Sequence, residues 1–306
     1  LNEKVESSSE ILKLFRSKLG LSLPDNCALD EAADLILDMQ YGEAQPPICI
    51  VEHLEALMLR GIGGYRLLSD VLKFMSRTDT RIIWISTVSS FGWQLMSTSD
   101  PVAAALVNRF TMNELGRADL ERLIMERHKK SGVPIEFVQP DDLNPLLRRR
   151  LRRVRSKEMK QELLKEAFFD RLYSQFGQNI QMALLQWVRS VEMEGDSERM
   201  QVRMTQPLNL TFFSGFQLDQ VFAMKALLEH GHLSIAEYAA IDRITYSQAM
   251  SIFETLGNAL VIEAVESDNR STLFRHVAVR SGISYRIRPL FTHAAIRLLK
   301  ERNVVH

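Results

Sequence analysis

Two short apolar runs end in residues able to hold a ligand. Ile48-Cys49-Ile50-Val51 leads into Glu52-His53, and Ile82-Ile83-Trp84-Ile85 leads into Ser86-Thr87. A carboxylate at a strand tip commonly serves a phosphate ligand, and it also suits the positive end of a helix that begins there. Ser86 and Thr87 offer hydroxyls that either touch such a ligand or satisfy nearby backbone groups as turn-formers. Glu55, three residues beyond Glu52, is expected on the surface.

The elements that must position these residues follow from periodicity. Pro46-Pro47 opens the first run, and its four successive apolar residues predict a strand covered on both faces. Apolar residues at three-to-four spacing from Tyr65 to Met75 predict a helix, Thr78-Asp79-Thr80 turns the chain, and the second apolar run follows. Strand, helix, strand is a parallel βαβ unit, in which ligands bind beyond the carboxyl ends of the strands. The strands are expected to bring Glu52 close to Ser86 and Thr87 and to leave an apolar sheet edge beside the second one. A bare edge of that kind is a template for another chain. Upstream, the stretches starting at Glu10 and Leu29 read as two short helices separated around Pro24 and Asn26.

Residues 113–200 read as mostly helical, including the run from Gln178 to Met193. The last hundred residues change pattern. Helices over Leu218–Gly231, Ser234–Ile241 and Thr245–Asn258 precede two strand-like runs, Ala259–Val265 and Leu273–Val279, and a third at Tyr285–Leu290; a final helix follows from His293. Three helices and a β-hairpin predict a winged helix. The domains expected are therefore 1–112, 113–205 and 206–306.

Composition removes whole classes of function. Lysine plus arginine equals aspartate plus glutamate at 38 each, so bulk charge draws the chain neither to nucleic acid nor to an anionic membrane, and any such contact must be local. Two cysteines, Cys27 and Cys49, make neither a zinc site nor a disulfide framework, and they fit a reducing, cytoplasmic setting. No apolar run reaches the roughly 18 residues that span a bilayer. The chain begins with Leu1, which reads as a piece of something longer. His230-Gly231-His232 reads as a turn, and no Ser-His-Asp or Cys-His arrangement is recognisable.

In order and spacing, these motifs resemble AAA+ P-loop ATPases over nearly the whole chain. The nearest likeness is to bacterial ATPases related to origin-recognition and signal-transduction AAA+ proteins, which are often membrane-anchored. The resemblance implies that the run ending in Glu52-His53 corresponds to Walker B and the run ending in Ser86-Thr87 to sensor 1. Arg109 corresponds to the arginine-finger region, which acts only in an oligomer, and Gln181 to the sensor 2 position. It implies ATP and Mg²⁺ as cofactors of the full-length protein, with Glu52 on the metal side and Glu52, Ser86, Thr87, Arg109 and Gln181 around the nucleotide.

Three departures qualify that implication. A P-loop needs G-x-x-x-x-G-K-[ST], whose amides and lysine surround the phosphates, and no such run occurs. The usual Asp-Glu tip is Glu52-His53, in which His53 polarises an attacking water less well than a carboxylate. Gln181 stands where an arginine is usual and cannot neutralise phosphate charge. The fold expected is thus α/β: a partial parallel P-loop NTPase sheet lacking Walker A, then a helical lid, then a winged helix. The function expected is a regulatory module that couples nucleotide state to a protein partner or to self-association, with no cofactor bound by this chain alone. An ATPase active only when full-length and oligomeric is one alternative.

A non-specific DNA-binding winged-helix protein is the other. Six arginines from Arg148 to Arg155, among them Arg148, Arg149, Arg152 and Arg153, would either grip phosphates or an acidic lipid surface, or form a solvated face paired with acids. Arg275 and Arg280 sit in the expected wing with Arg270, Arg286 and Arg288. The expected recognition helix from Tyr246 to Asn258 carries Glu254 and no lysine or arginine, so sequence-specific reading is not expected.

Overall fold

The structure, a computed structural model, describes residues 7–304 apart from 21–22, 25–26, 39–45, 62, 100–107, 113–114, 141–142, 178, 194–198, 205–207 and 266–282. The chain is mixed α/β and mostly helical, with small sheets, and it gathers into two compact units. Leu1–Phe110 with Gln217–Arg288 forms the first, and Thr111–Phe216 with Pro289–His306 the second. Among the described residues no helix is long and apolar enough to cross a membrane.

In the first unit, α1 (Ser8–Leu19) and α2 (Leu29–Asp38) precede β1 (Ile48–Val51), a 3-10 turn (Leu54–Leu57), α3 (Arg66–Arg77), β2 (Ile83–Ser86) and α4 (Ser90–Ser99). Ser7 caps α1 by accepting from the Glu10 N–H, and Gly20 ends it in the left-handed conformation that favours glycine. Strands β1 and β2 pair in parallel with Val51 opposite Ser86. One face of this sheet packs on the helices. Phe15, Phe74 and Trp84 meet there with ring centroids 5.2 to 5.8 Å apart, and Trp84 Nε1 donates to Thr78 Oγ at 3.0 Å.

The other face is bare, which overturns the expectation of a strand covered on both sides. Cys49 and Val51 are buried, whereas Ile48 and Ile50 are 61% and 63% exposed, and their partners Ile83 and Ile85 are 45% and 47% exposed. Four consecutive apolar residues do not say how many faces are covered. With two strands and helices on one side among the described residues, alternate side chains turn outward.

The first unit also holds α9 (Leu218–His230), β6 (Leu233–Ser234), α10 (Ile235–Asp242), α11 (Tyr246–Asn258), β7 (Ile262–Val265) and β8 (Ser284–Ile287). The strands form an antiparallel sheet in the order β6-β8-β7. Capping boxes start α10 at Ser234 with Glu237 and α11 at Thr245 with Gln248. Gly231, at φ +74°, ends α9. The run Leu273–Val279, with Arg270, Arg275 and Arg280, lies outside the described residues.

The second unit contains α5 (Arg117–Lys129), β3 (Ile135–Phe137), α6 (Pro145–Arg153), α7 (Lys157–Phe176), α8 (Ile180–Ser190), β4 (Val191–Met193), β5 (Met200–Val202), a 3-10 turn (Thr211–Gly215) and α12 (Pro289–Glu301). Its sheet, in the order β3-β5-β4, is not anticipated by the helical reading of 113–200. Helix α8 stops at Ser190, and Val191–Met193 continue as a strand paired with β5. Gln161 of α7 holds the rim of this sheet, accepting from the Phe137 N–H at 2.7 Å and donating to the Phe137 carbonyl at 3.1 Å. Phe137, Phe168, Phe169 and Trp187 centre the core beneath it.

Gly177 separates α7 from α8 at φ +53° and ψ −120°, a conformation open to glycine and strained for any other residue. A Cβ there would run into the His293 imidazole of α12. Asn179, two residues on, caps α8 by accepting from Met182 N–H at 3.1 Å and donates to the Pro289 carbonyl at 3.1 Å. Gly177→Ala is expected to destabilise the chain by about 2–4 kcal/mol, combining backbone strain with overpacking. Urea unfolding measures the loss. Adding His293→Ala should recover only part of it, because the backbone strain remains; full recovery would mean that φ carries no cost here.

Candidate functional site

The carboxyl ends of β1 and β2 are locked by Thr87. Its N–H donates to the Val51 carbonyl at 3.0 Å, its carbonyl accepts from Leu54 N–H at 3.0 Å, and its hydroxyl accepts from His53 N–H at 3.3 Å. The sharp reversal this requires places His53 at φ +60° and ψ +58°, an uncommon conformation for a side-chain-bearing residue and one that clusters at functional sites. Glu52, His53, Ser86 and Thr87 are all exposed at this end. The expected convergence of the two strand tips is therefore observed for the backbone around these four residues.

Glu55 lies beneath them, and its burial corrects the expectation of a surface residue. It is 3% exposed, accepts from Ser89 N–H at 3.4 Å and stands 3.4 Å from His53 Nδ1. The 3-10 turn carries it inward, since Leu54, Glu55, Ala56 and Leu57 are all buried. Ser89 caps α4 by accepting from Gly92 N–H at 3.0 Å. Gly92 permits a close approach: a Cβ there would lie 2.9 Å from Glu55 Cβ and 3.2 Å from the Glu229 carbonyl of α9. The exposed imidazole of His53 is thus backed by a buried carboxylate, an arrangement able to orient the ring.

Arg60 ties the same loop to the helices downstream. Its guanidinium reaches Asp242 Oδ1 at 3.1 Å and Glu229 Oε2 at 3.4 Å. Tyr238 donates its hydroxyl to Asp242 Oδ2 at 2.6 Å, and Lys225 stands 3.8 Å from Glu229. Burial, reinforced by Asp242, holds the Tyr238 hydroxyl well above the ordinary tyrosine range. Burial likewise raises the Cys49 thiol.

The remaining candidates stand elsewhere. Arg109 is exposed, with its guanidinium 5.3 Å from the centre of the Trp93 ring, a cation–π contact. Gln181 is exposed on α8 of the second unit. Arg148, Arg149, Arg152 and Arg153 are exposed on α6. Arg286 and Arg288 are engaged with Glu263, at 2.8 and 3.9 Å. The signal for Glu55 was present as an acid three residues past a strand tip, but its depth depends on the turn.

Compared with known proteins, the chain matches no family model, no curated protein and no solved structure, so a functional reading rests on residues and geometry.

The Arg60 network makes stability depend on pH. Burial holds the Glu229 carboxyl above its ordinary value of 4.5, with Arg60 and Lys225 opposing and Asp242 reinforcing the shift. The folded chain keeps this proton where the unfolded chain has lost it. The associated stability is therefore full below the ordinary carboxylate value and is lost as pH rises through the raised one. Glu229→Gln should flatten this fall in urea-unfolding free energy above the ordinary carboxylate value, and Arg60→Ala should move it to higher pH. An unchanged slope in Glu229→Gln would exclude Glu229 as its source.

Proposed function

We propose that this chain is a regulatory and interaction module of an AAA+-like ATPase, coupling nucleotide state to a protein partner with little or no ATP hydrolysis of its own. The observation that carries this reading is the parallel pairing of β1 with β2 around α3, which brings Glu52, His53, Ser86 and Thr87 to one exposed end. On this reading β1 and β2 are part of a P-loop sheet, Glu52 is the carboxylate on the Mg²⁺ side, and Ser86 and Thr87 sense the terminal phosphate. Arg109 takes the finger region and Gln181 the sensor 2 position. Helices α9, α10 and α11 with β6, β7 and β8 form a winged helix, a reading supported by three helices followed by an antiparallel strand pair.

The donor set suits sensing better than turnover. Mg²⁺ keeps several waters and takes one or two carboxylates together with phosphate oxygens, so an exposed Glu52 fits that contact. Among the described residues no group of three or more histidines, cysteines, aspartates or glutamates gathers to hold a metal by itself. The amide-and-lysine cradle for phosphate is absent from the 306 residues, so phosphate binding is assigned to chain outside them. His53, backed by Glu55, replaces a carboxylate that would polarise water. Arg60 links the loop after the site to Glu229 and Asp242, which supplies a physical route from the site to the helices that follow. The bare isoleucine face of β1 and β2 offers apolar area for a protein partner.

Amide hydrogen exchange tests this reading. ATP with Mg²⁺ at millimolar concentration is expected to protect residues 52–57 and 86–92 weakly, with a Kd near or above about 1 mM. Glu52→Gln should remove the Mg²⁺-dependent part. Protection confined to other segments would sink the nucleotide reading, and tight stoichiometric binding would refute the assignment of the phosphate cradle to other chain.

A further inference from the structure

Helix α6 carries the densest run of arginine in the molecule. Arg148, Arg149, Arg150, Arg152, Arg153 and Arg155 are all exposed. Among the described residues no acid pairs with Arg149, Arg150, Arg152, Arg153 or Arg155. Several cations elsewhere in the second unit are engaged with acids: Arg117 with Asp170 and Glu121, Lys165 with Glu121 and Glu162, Arg203 with Glu192. For these five arginines, pairing with acids, one of the two arrangements the sequence left open, is not found among the described residues.

The helix is held by its apolar side. Leu151 is buried in the second unit's core with Leu143, and Leu147 packs against it. At about 100° per residue, Leu147 and Leu151 define the inward direction, and Arg148, Arg149, Arg150, Arg152 and Arg153 fan over about 200° of the outward side. Arg148 with Arg152, and Arg149 with Arg153, form two rows at i, i+4 spacing along it. Asn144 caps the helix by accepting from Leu146 N–H at 2.9 Å, and Pro145 occupies its first turn, so the fan sits on a preorganised scaffold.

We infer that α6 is a docking surface for the phosphate backbone of duplex DNA, bound without sequence preference. This goes beyond the proposed nucleotide-linked role and does not rest on it. Charge complementarity identifies a polyanion, and the all-arginine composition identifies phosphate, because the guanidinium fork matches phosphate oxygens in pairs. Shape distinguishes the sources. A fan this wide presents only its outermost residues to a plane, whereas the walls of a groove flank it. A helix about 10–12 Å across fits the B-DNA major groove, about 12 Å wide, while that of A-form RNA is too narrow. A membrane-surface helix would need an apolar face turned outward, and α6 commits Leu147 and Leu151 to the core, leaving Leu146 as its exposed apolar residue.

The test is fluorescence anisotropy of the full chain with labelled duplexes of unrelated sequence, about two helical turns long. Binding is expected at about 50 mM salt, equal among sequences, and falling linearly on a log–log plot towards 200 mM. R149Q/R153Q should weaken it at least about tenfold and lower the salt slope by about 2. R150Q/R152Q should act in the same direction, and thermal melts of both variants should match the parent because the replaced groups are exposed. Absence of duplex binding at the lower salt overturns the inference, as does parental affinity in both variants. Tighter, arginine-dependent binding to phosphatidylserine vesicles than to duplex would assign the surface to a membrane instead and equally overturn it.

Discussion

Thr87 is the point on which the strand-tip site depends. Three hydrogen bonds converge on one residue: its amide continues the ladder from Val51, its carbonyl receives Leu54, and its hydroxyl receives His53. Because the bonds to Leu54 and His53 come from beyond the end of β1, they fold the chain back sharply instead of letting it continue. The left-handed backbone at His53 follows from that reversal, and so does the burial of Glu55. A strand that simply frayed after Val51 would leave Glu52, His53 and Glu55 with no fixed relation. Here the first two stay in solvent while the third is carried under them.

A buried carboxylate is costly unless hydrogen bonds or charges offset its desolvation. The first unit has two such groups close together, and they are treated differently. Glu55 takes an amide from the start of α4 and an imidazole from its own loop. Glu229, on α9, takes Arg60 and Lys225. Gly92 stands between them, with its missing side chain leaving room for Glu55 on one side and the α9 backbone on the other. The loop from 52 to 60 is consequently anchored at both ends, by Thr87 at its start and by Asp242 and Glu229 at its finish. Displacement of the strand tips must strain one of these anchors, which is the physical route the proposed coupling would use.

The parallel pairing was legible because an apolar run, a helix-length connection and a second apolar run leave little topological choice. The same runs hid which residues face outward. Periodicity carries no facing information when every position is apolar, and the bare row of isoleucines emerges only once the number of strands and covering helices is known. Glu55 was misplaced for a related reason: depth after a strand end is set by the turn, and the turn here depends on a tertiary bond to Thr87. The three-residue strands of the second unit are too short to show a period of two, and Val191–Met193 prolong a helical pattern before leaving it. The arginines of α6 were legible as a cluster, while the lack of acidic partners for Arg149, Arg150, Arg152 and Arg153 among the described residues was a tertiary fact.

The bare isoleucine face and the strand-tip residues belong to the same two strands, and this limits how independent they can be. Ile50 pairs with Ile85 in the row adjacent to Val51 and Ser86, and the next residues along are Glu52 and Thr87. Parallel sheets are nearly always covered on both faces, so an uncovered pair of four-residue strands relies on one packed side and on the Thr87 bonds for its order. An element laid over Ile50 and Ile85 would remove apolar area from water within one residue of the site and stiffen the backbone that fixes His53. A ligand held by Glu52 and Thr87 would in turn stiffen the strands that present the isoleucines. On the proposed reading, occupancy of either surface would lower the ordering cost of the other, and the coupling would be positive in sign without any change of fold.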